Sequence, residues 1–367
     1  MNNSSQPPNT LAADVSPFHS GEKVLQAQAG KREAMERFGR RAIRSYMPDQ
    51  HREFYSQLPF LVVGSVDESA WPWASILPGR PGFVESPTAT SLTVTASAIK
   101  GDPLAAAIQP GAPLGLLGIE MPTRRRNRLN VHVAETNGNR FTLNVDQSFG
   151  NCPQYIHKRS VDFVRESGEP TSPAEIEHFT ELNTTLSKMI SAADTFFVAS
   201  YIAPKERPNI EGVDVSHRGG KPGFVKVEGN TLTVPDYPGN NYFNTLGNFL
   251  LNPKAGLVFL DFESGDVVQL TGTVELLDGG AELEAFRGAQ RGWRVTLDHG
   301  VLLRGGLPFR STFEAFSPNS LVTGDWAQAE AEVAAQAKRD AWRPYRVQKI
   351  EDESSTIRSF YFGTWWE

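Results

Sequence analysis

The strongest constraint on this chain is that it repeats itself. Gly79-Arg80-Pro81-Gly82-Phe83-Val84 returns 141 residues later as Gly220-Lys221-Pro222-Gly223-Phe224-Val225. The match runs on through Ser91-Leu92-Thr93-Val94 and Thr231-Leu232-Thr233-Val234, here 140 residues apart, then returns to 141 at Gly115-Leu116 and Gly256-Leu257. It closes with Asn127-Arg128-Leu129-Asn130 against Val268-Gln269-Leu270-Thr271. Solenoid repeats have periods of roughly 20–50 residues, so a spacing this long duplicates a whole domain. Whatever fold one copy adopts, the other is expected to share.

Within each copy the segments between Gly, Pro and Asn punctuation are short and rich in β-branched and aromatic residues, the pattern of antiparallel strands. Strands are expected over 60–66, 91–95, 114–119 and 129–133, and again over 195–202, 223–227, 231–234, 255–262 and 267–276. The fold class is therefore mainly β with flanking helices, each copy a small closed or nearly closed sheet. With 39% hydrophobic residues in 367, the chain can bury the cores this requires. We divide it into a disordered tail (1–20), an N-terminal helical segment (21–57), copy one (58–150), a linker with a helix (151–193), copy two (194–325) and a C-terminal helix with a strand-like tail (326–367).

In the linker, Ser172-Pro173-Ala174-Glu175 has the form of a helix start, and Ile176, Phe179, Leu182, Leu186, Met189 and Ile190 follow at helical spacing. The basic run over 22–46 reads as a solvated helix face. The aromatic tail, with Trp342, Tyr345, Phe360, Tyr361, Phe362, Trp365 and Trp366, is too short to bury its own apolar surface. It is expected to pack on a barrel or a neighbouring subunit, or to be the stub of a further module.

Composition narrows the function. A net charge of −6 gives no general attraction to nucleic acid or anionic membranes, so any phosphate site must be local. No apolar run is long enough to span a bilayer. The single cysteine, Cys152, excludes an internal disulfide framework and a cysteine-rich metal site, which suits a cytoplasmic protein. Cys152 reads either as inert packing or as a redox group beside a cofactor. Arg124-Arg125-Arg126 with Arg128 reads as an exposed hairpin between strands, or as a phosphate grip.

The copies differ most where Trp73-Ala74-Ser75-Ile76-Leu77 aligns with Asp214-Val215-Ser216-His217-Arg218. One is apolar; the other offers a hydroxyl, an imidazole and a guanidinium, followed by unshielded glycine amides, which suits a phosphate or the polar edge of a planar ring. Downstream, Asn244-Thr245 stands before a helical turn with Asn248 one turn on, so Asn244 either caps the helix or helps its free amides hold an anion.

These segments, Asp214 to Val225, Asn240 to Asn248 and Asn252-Pro253-Lys254-Ala255-Gly256-Leu257, resemble the FMN-binding split-barrel superfamily of pyridoxamine 5′-phosphate oxidase. The resemblance implies two tandem split β-barrels, the first with a degenerate site, packed as a pseudo-dimer. It implies non-covalent FMN, or the deazaflavin or haem bound by relatives, at Ser216, Arg218, Asn244, Thr245 and Asn248. Where that family often carries arginine in the loop this chain has Asn241 and Tyr242, so His217 or Lys221 would supply the charge. Activity is implied as an FMN-dependent oxidoreductase or flavin electron-transfer protein, or alternatively a non-catalytic flavin or haem carrier or sensor. A homodimer through copy two is implied as well. Residues 345–362 resemble the opening strands of a ferredoxin-reductase-type FAD domain. Since the barrels lack a Gly-rich dinucleotide motif, an external NAD(P)H-dependent flavin reductase or ferredoxin-type partner is expected.

Overall fold

The computed structural model describes residues 15–167, 175–203, 212–341 and 345–364. Of the expected disordered start (1–20), residues 1–14 lie outside the described residues, as do the helix start at Ser172-Pro173-Ala174 and Trp342, Trp365 and Trp366, whereas residues 15–20 are ordered and packed, with Phe18 fully buried and His19 capping a helix that starts at Ser20. The chain is mainly β, in antiparallel sheets.

The first sheet contains β1 (Phe60–Val66), β2 (Pro72–Pro78), β3 (Val84–Thr88), β4 (Ser91–Thr95), β5 (Pro113–Glu120), β6 (Arg125–Asn137) and β7 (Arg140–Asn151), in the order β2-β1-β5-β6-β7-β4-β3. Two short strands follow, β8 (Lys158–Phe163) and β9 (Ile176–Phe179). The second sheet contains β10 (Thr195–Tyr201), β11 (Val213–Gly219), β12 (Lys226–Glu228), β13 (Thr231–Asp236), β14 (Lys254–Leu260), β15 (Val267–Leu277) and β16 (Arg291–Leu303). Its order, β11-β10-β14-β15-β16-β13-β12, is the first path strand for strand. The registers agree too: Val62 lies opposite Ile76 and Leu117, and Phe197 opposite His217 and Val258. Leu116 faces Leu129 as Leu257 faces Leu270. Each path is open, with β2 and β3, or β11 and β12, at its edges among the described residues, rather than closed on itself. Of the later strands, β17 (Phe309–Ala315) pairs with β8, and β18 (Tyr345–Asp352) with β19 (Arg358–Thr364).

Three apolar cores follow from strand alternation. One face of the first sheet buries Leu61, Val63, Leu92, Leu116 and Leu143; the matching face of the second buries Phe196, Val198, Leu232, Leu257 and Trp293. The opposite faces meet each other, with Phe60, Val62, Ile76 and Leu117 packed among Phe197, Val215 and Val258. This explains why β1 and β10 read as continuous apolar runs, since both faces are covered. The approach is tightest at two glycines. A Cβ on Gly115 would overlap the Val213 carbonyl, and one on Gly256 would overlap the Pro72 carbonyl. Gly115 and Gly256 are equivalent in the repeat, as are Pro72 and Val213, so the same contact is made twice about an approximate two-fold axis. Gly256→Ala is expected to cost about 1–3 kcal/mol of stability by overpacking this seam. Urea denaturation would measure it, and an unchanged midpoint would mean that the seam yields.

The helices are α1 (Ser20–Gln28), α2 (Arg32–Ala42), α3 (Asp49–Ser56), α4 (Leu104–Ala107), α5 (Thr184–Ala192), α6 (Asn244–Leu251), α7 (Ala281–Ala285), α8 (Pro318–Leu321) and α9 (Trp326–Asp340). The basic N-terminal segment is two helices, broken at Gly30 with φ 65°. Its second helix is largely exposed, with Arg32 and Arg40 paired to Glu36. Its first helix lies against α6, and a Cβ on Gly21 would overlap the Gly247 carbonyl.

Three sequence expectations are corrected. Ile176 and Phe179 do not begin a helix: they form β9, which takes up the backbone groups of Gly300 to Leu303 on β16, and α5 starts later with Asn183 capping Leu186 N at 2.9 Å. The unpaired end of β16 outweighed helical spacing. Arg125 to Arg128 are not an exposed hairpin but the first residues of β6, paired on both sides with β5 and β7. The aromatic tail does not pack on either sheet: Tyr345, Phe360 and Phe362 are 53%, 50% and 62% exposed. The only buried residues of α9 are Trp326 and Ala329, near its start, so the β18–β19 ribbon is carried away from the sheets. No helix among the described residues is long and apolar enough to cross a membrane.

Candidate functional site

A cleft of about 950 Å³, counting its open mouth, lies where the two halves meet. The second half contributes β11, the loop after β13 and the start of α6; the first contributes β6 and the segment after β7. Sites that take small molecules and cofactors often lie at such junctions.

Ser216, His217, Arg218, Asn241, Asn244 and Thr245 all line it. Ser216 and Thr245 join β11 to α6, with the Thr245 hydroxyl 3.0 Å from the Ser216 Oγ. Arg218 donates to Asp236 at 2.7 Å, and Arg291 approaches the same carboxylate at 3.7 Å. The residue before α6 is Phe243, left-handed at φ 64°, with no side-chain cap, so the amides of the first turn have no side-chain acceptor there. Asn244 is thus no cap. Its side chain donates to Glu22 on α1 and accepts from Arg128 at 3.1 Å.

Two expected residues are not in the wall. Lys221 donates to the Thr323 carbonyl at 2.9 Å, away from the cleft. Asn248 is buried one helical turn behind, donating to Ser200 at 2.9 Å and Asp214 at 3.1 Å. Tyr242 is an anchor, its ring edge-on to Phe18 and Phe149.

The arginines of β6 are what sequence reasoning set aside. Alternation points Arg126, Arg128 and Asn130 to one face. Arg128, 5% exposed, is committed to Asp214 at 2.6 Å and to Asn244. Arg126 is different. Its Nε donates to the Cys152 carbonyl at 2.8 Å, one terminal nitrogen lies 3.5 Å from His217 Nδ1 and the other 3.7 Å from Cys152 Sγ. Among the described residues no carboxylate faces it, and burial, with Arg128 and Arg218 nearby, pulls its pKa down. The signal in the sequence was the arginine run itself, once β6 is extended to include it.

Burial also decides the neighbours. His217 is held well below its ordinary pKa by burial and by Arg126, so its ring is neutral. With a donor facing Nδ1, the ring proton sits on Nε2, which is buried without an acceptor. Glu22, behind Asn244, is pushed well above the usual carboxylate range by burial and by the charge of Asp214. At the mouth, Tyr155 and Tyr237 stack with centroids 4.9 Å apart, and the Tyr155 hydroxyl donates to the Pro238 carbonyl at 3.1 Å.

The two-fold partner of this cleft is filled. Ile76 and Leu77 stand in place of His217 and Arg218, and Val267 and Gln269 in place of Arg126 and Arg128, all fully buried. Ser75 donates to Asp102 at 2.6 Å and receives from Gln269 at 3.0 Å, while Asp102 Oδ2 and Gln269 Oε1 have no partner. Among the described residues no cluster of His, Cys, Asp and Glu could hold a metal ion.

Residues 182–302, from α5 into β16, match the family model described as pyridoxamine 5′-phosphate oxidase. Among solved structures the chain is similar to HupZ of Group A Streptococcus, at 15% identity over 33% of this chain and 98% of that one, with a TM-score of 0.27. It is also similar to a candidate pyridoxamine 5′-phosphate oxidase of Lactobacillus delbrueckii (14% identity, 29% and 94% covered, TM-score 0.23). A third is a candidate 5-nitroimidazole antibiotic resistance protein of Bacteroides thetaiotaomicron (12%, 40% and 93%, TM-score 0.24). At such scores these likenesses say nothing of chemistry. No curated protein sequence matches the chain.

Proposed function

We propose that the cleft holds FMN, and that the chain is an FMN-dependent oxidoreductase or flavin electron-transfer protein made of two tandem split β-barrels, the second carrying the cofactor. The observation that carries this reading is Arg126, a guanidinium in the wall of the cleft with no carboxylate facing it among the described residues. A half-buried cation left in that state suits an anionic ligand. The uncapped start of α6 and the Ser216 and Thr245 hydroxyls add neutral donors for a phosphate or a ring carbonyl.

The flavin would supply the redox chemistry. The chain would orient it through Arg126, Ser216 and the α6 amides, and shield it with the stacked Tyr155 and Tyr237. Flavin is favoured over haem because the one imidazole in the wall among the described residues, His217, has Nδ1 facing Arg126 and Nε2 buried. Both walls come from one chain, so a homodimer is not needed to complete the cleft. Reduction would come from an external NAD(P)H-dependent partner.

The test is a titration of the cofactor-free protein with FMN, followed by flavin fluorescence. One FMN per chain is expected, since Ile76, Leu77 and Val267 fill the equivalent position. Binding of two would contradict the filled site, and no binding would end the flavin reading.

A further inference from the structure

We propose that the substrate of the cleft is an uncharged planar ring compound received by Tyr155, and that rings carrying a phosphate are turned away once the cofactor is in place. The exclusion rests on the flavin reading; the role of Tyr155 does not. The charged side chains that line the cleft are Arg126, Arg128, Arg218 and Asp236. Just behind them, Asp214 pairs with Arg128 at 2.6 Å, and Arg291 approaches Asp236, the partner of Arg218, at 3.7 Å. Four guanidiniums against two carboxylates leave an excess of two positive charges among the described residues. A phosphate monoester carries about −1.5 to −2 near pH 7, so one bound phosphate uses all of it.

Around Tyr155 the described wall is neutral, with Asn151, Gln154, Pro238 and Asn240, and Asn240 is already committed to Asn151, donating at 2.7 Å. Burial, with Cys152 and Asp236 nearby, raises the Tyr155 pKa, and burial raises that of Tyr237, so both hydroxyls stay uncharged. A second anion there would lose its water without gaining a cation, and would meet the Asp236 charge. An uncharged ring meets the opposite case. Tyr155 is half-buried, its ring stacked on Tyr237. Its backbone is left-handed at φ 65°, which bulky residues seldom adopt. The Ser317 Oγ accepts from Tyr155 N at 3.1 Å, the hydroxyl donates to the Pro238 carbonyl, and a Cβ on Gly219 would overlap the Tyr155 carbonyl. The ring is thus held in place before any ligand arrives, and stacking on it costs little ordering.

The test titrates a matched pair, naphthol and naphthyl phosphate, into the full-length protein by calorimetry. Loaded with FMN, the protein is expected to bind naphthol about tenfold more tightly than naphthyl phosphate; free of flavin, with two positive charges unmatched, it should reverse that order. Tyr155→Ala should weaken naphthol by up to about tenfold. Tyr155→Phe, which keeps the ring, should retain most of the affinity, so loss of stacking is told apart from damage to the fold. Naphthyl phosphate bound as tightly as naphthol by the loaded protein, or no reversal in the free protein, overturns the exclusion. No naphthol binding, or binding unchanged by Tyr155→Ala, overturns the role of the ring. If the protein takes up no FMN, the flavin reading and the exclusion fall together, and naphthol binding to wild type and Tyr155→Ala still decides the ring.

Discussion

Arg126→Met is expected to weaken FMN binding by about 100-fold, because a charge-assisted hydrogen bond in a shielded site contributes roughly 2–3 kcal/mol. The side chain is replaced by one of similar length, and no ion pair among the described residues is broken, so the fold should survive. Arg218→Ala should do less: its charge is already shared with Asp236, and Arg291 lies close to the same carboxylate. Fluorescence titration of both variants against wild type decides the order. If Arg218→Ala releases the flavin and Arg126→Met does not, the anion lies on the β11 side and our assignment of the cation is wrong.

The second large effect is on stability, at the filled counterpart site. Burial raises the Asp102 pKa from 3.8 to about 6, only partly offset by Ser75, the Leu104 amide and Gln269. The native state therefore binds this proton more tightly than the unfolded chain does. Its contribution is fully favourable below the unfolded pKa, is lost as pH rises from about 4 to about 6, and leaves the native state above that range holding a charge it disfavours, by up to about 3 kcal/mol. Asp102→Asn is expected to stabilise the protein by about 1–3 kcal/mol near pH 8, with the gain fading below about pH 4. An amide also offers a donor to the unpartnered Gln269 Oε1. Urea unfolding at both pH values measures this. A variant less stable than wild type at both would mean that the charged Asp102 is held by a partner outside this trio.

These two sites are the same place in the repeat, and comparing them separates what was legible in the sequence from what was not. The alignment of Trp73-Ala74-Ser75-Ile76-Leu77 with Asp214-Val215-Ser216-His217-Arg218 was enough to tell which half keeps polar groups. Ser216, His217, Arg218, Asn244 and Thr245 do meet in one cleft, because strand alternation and a helix start place them locally. Lys221 was misjudged because proximity in sequence to a glycine turn says nothing of direction; it turns toward Thr323, some hundred residues further along the chain. Arg126 was passed over because a run of three arginines between strands looks solvent-exposed, and only the second half of the molecule buries it.

Local sequence, then, determined the strand content, most strand positions and the repeat, since alternation, turn residues and duplication all act over short windows or by direct comparison. It misled at Ile176 to Phe179, where helical spacing lost to the unpaired end of β16, and for the aromatic tail it left three alternatives open, of which the structure removes packing on this chain's own sheets. Tertiary structure alone decided which cation is free. Arg126, Arg128 and Arg218 are alike as residues. What distinguishes them is that Asp214, on a strand of the other half, and Asp236, two strands on in the same sheet as Arg218, are near enough to neutralise two of them, and such charges are set by neighbours within a few ångströms, which no linear spacing records.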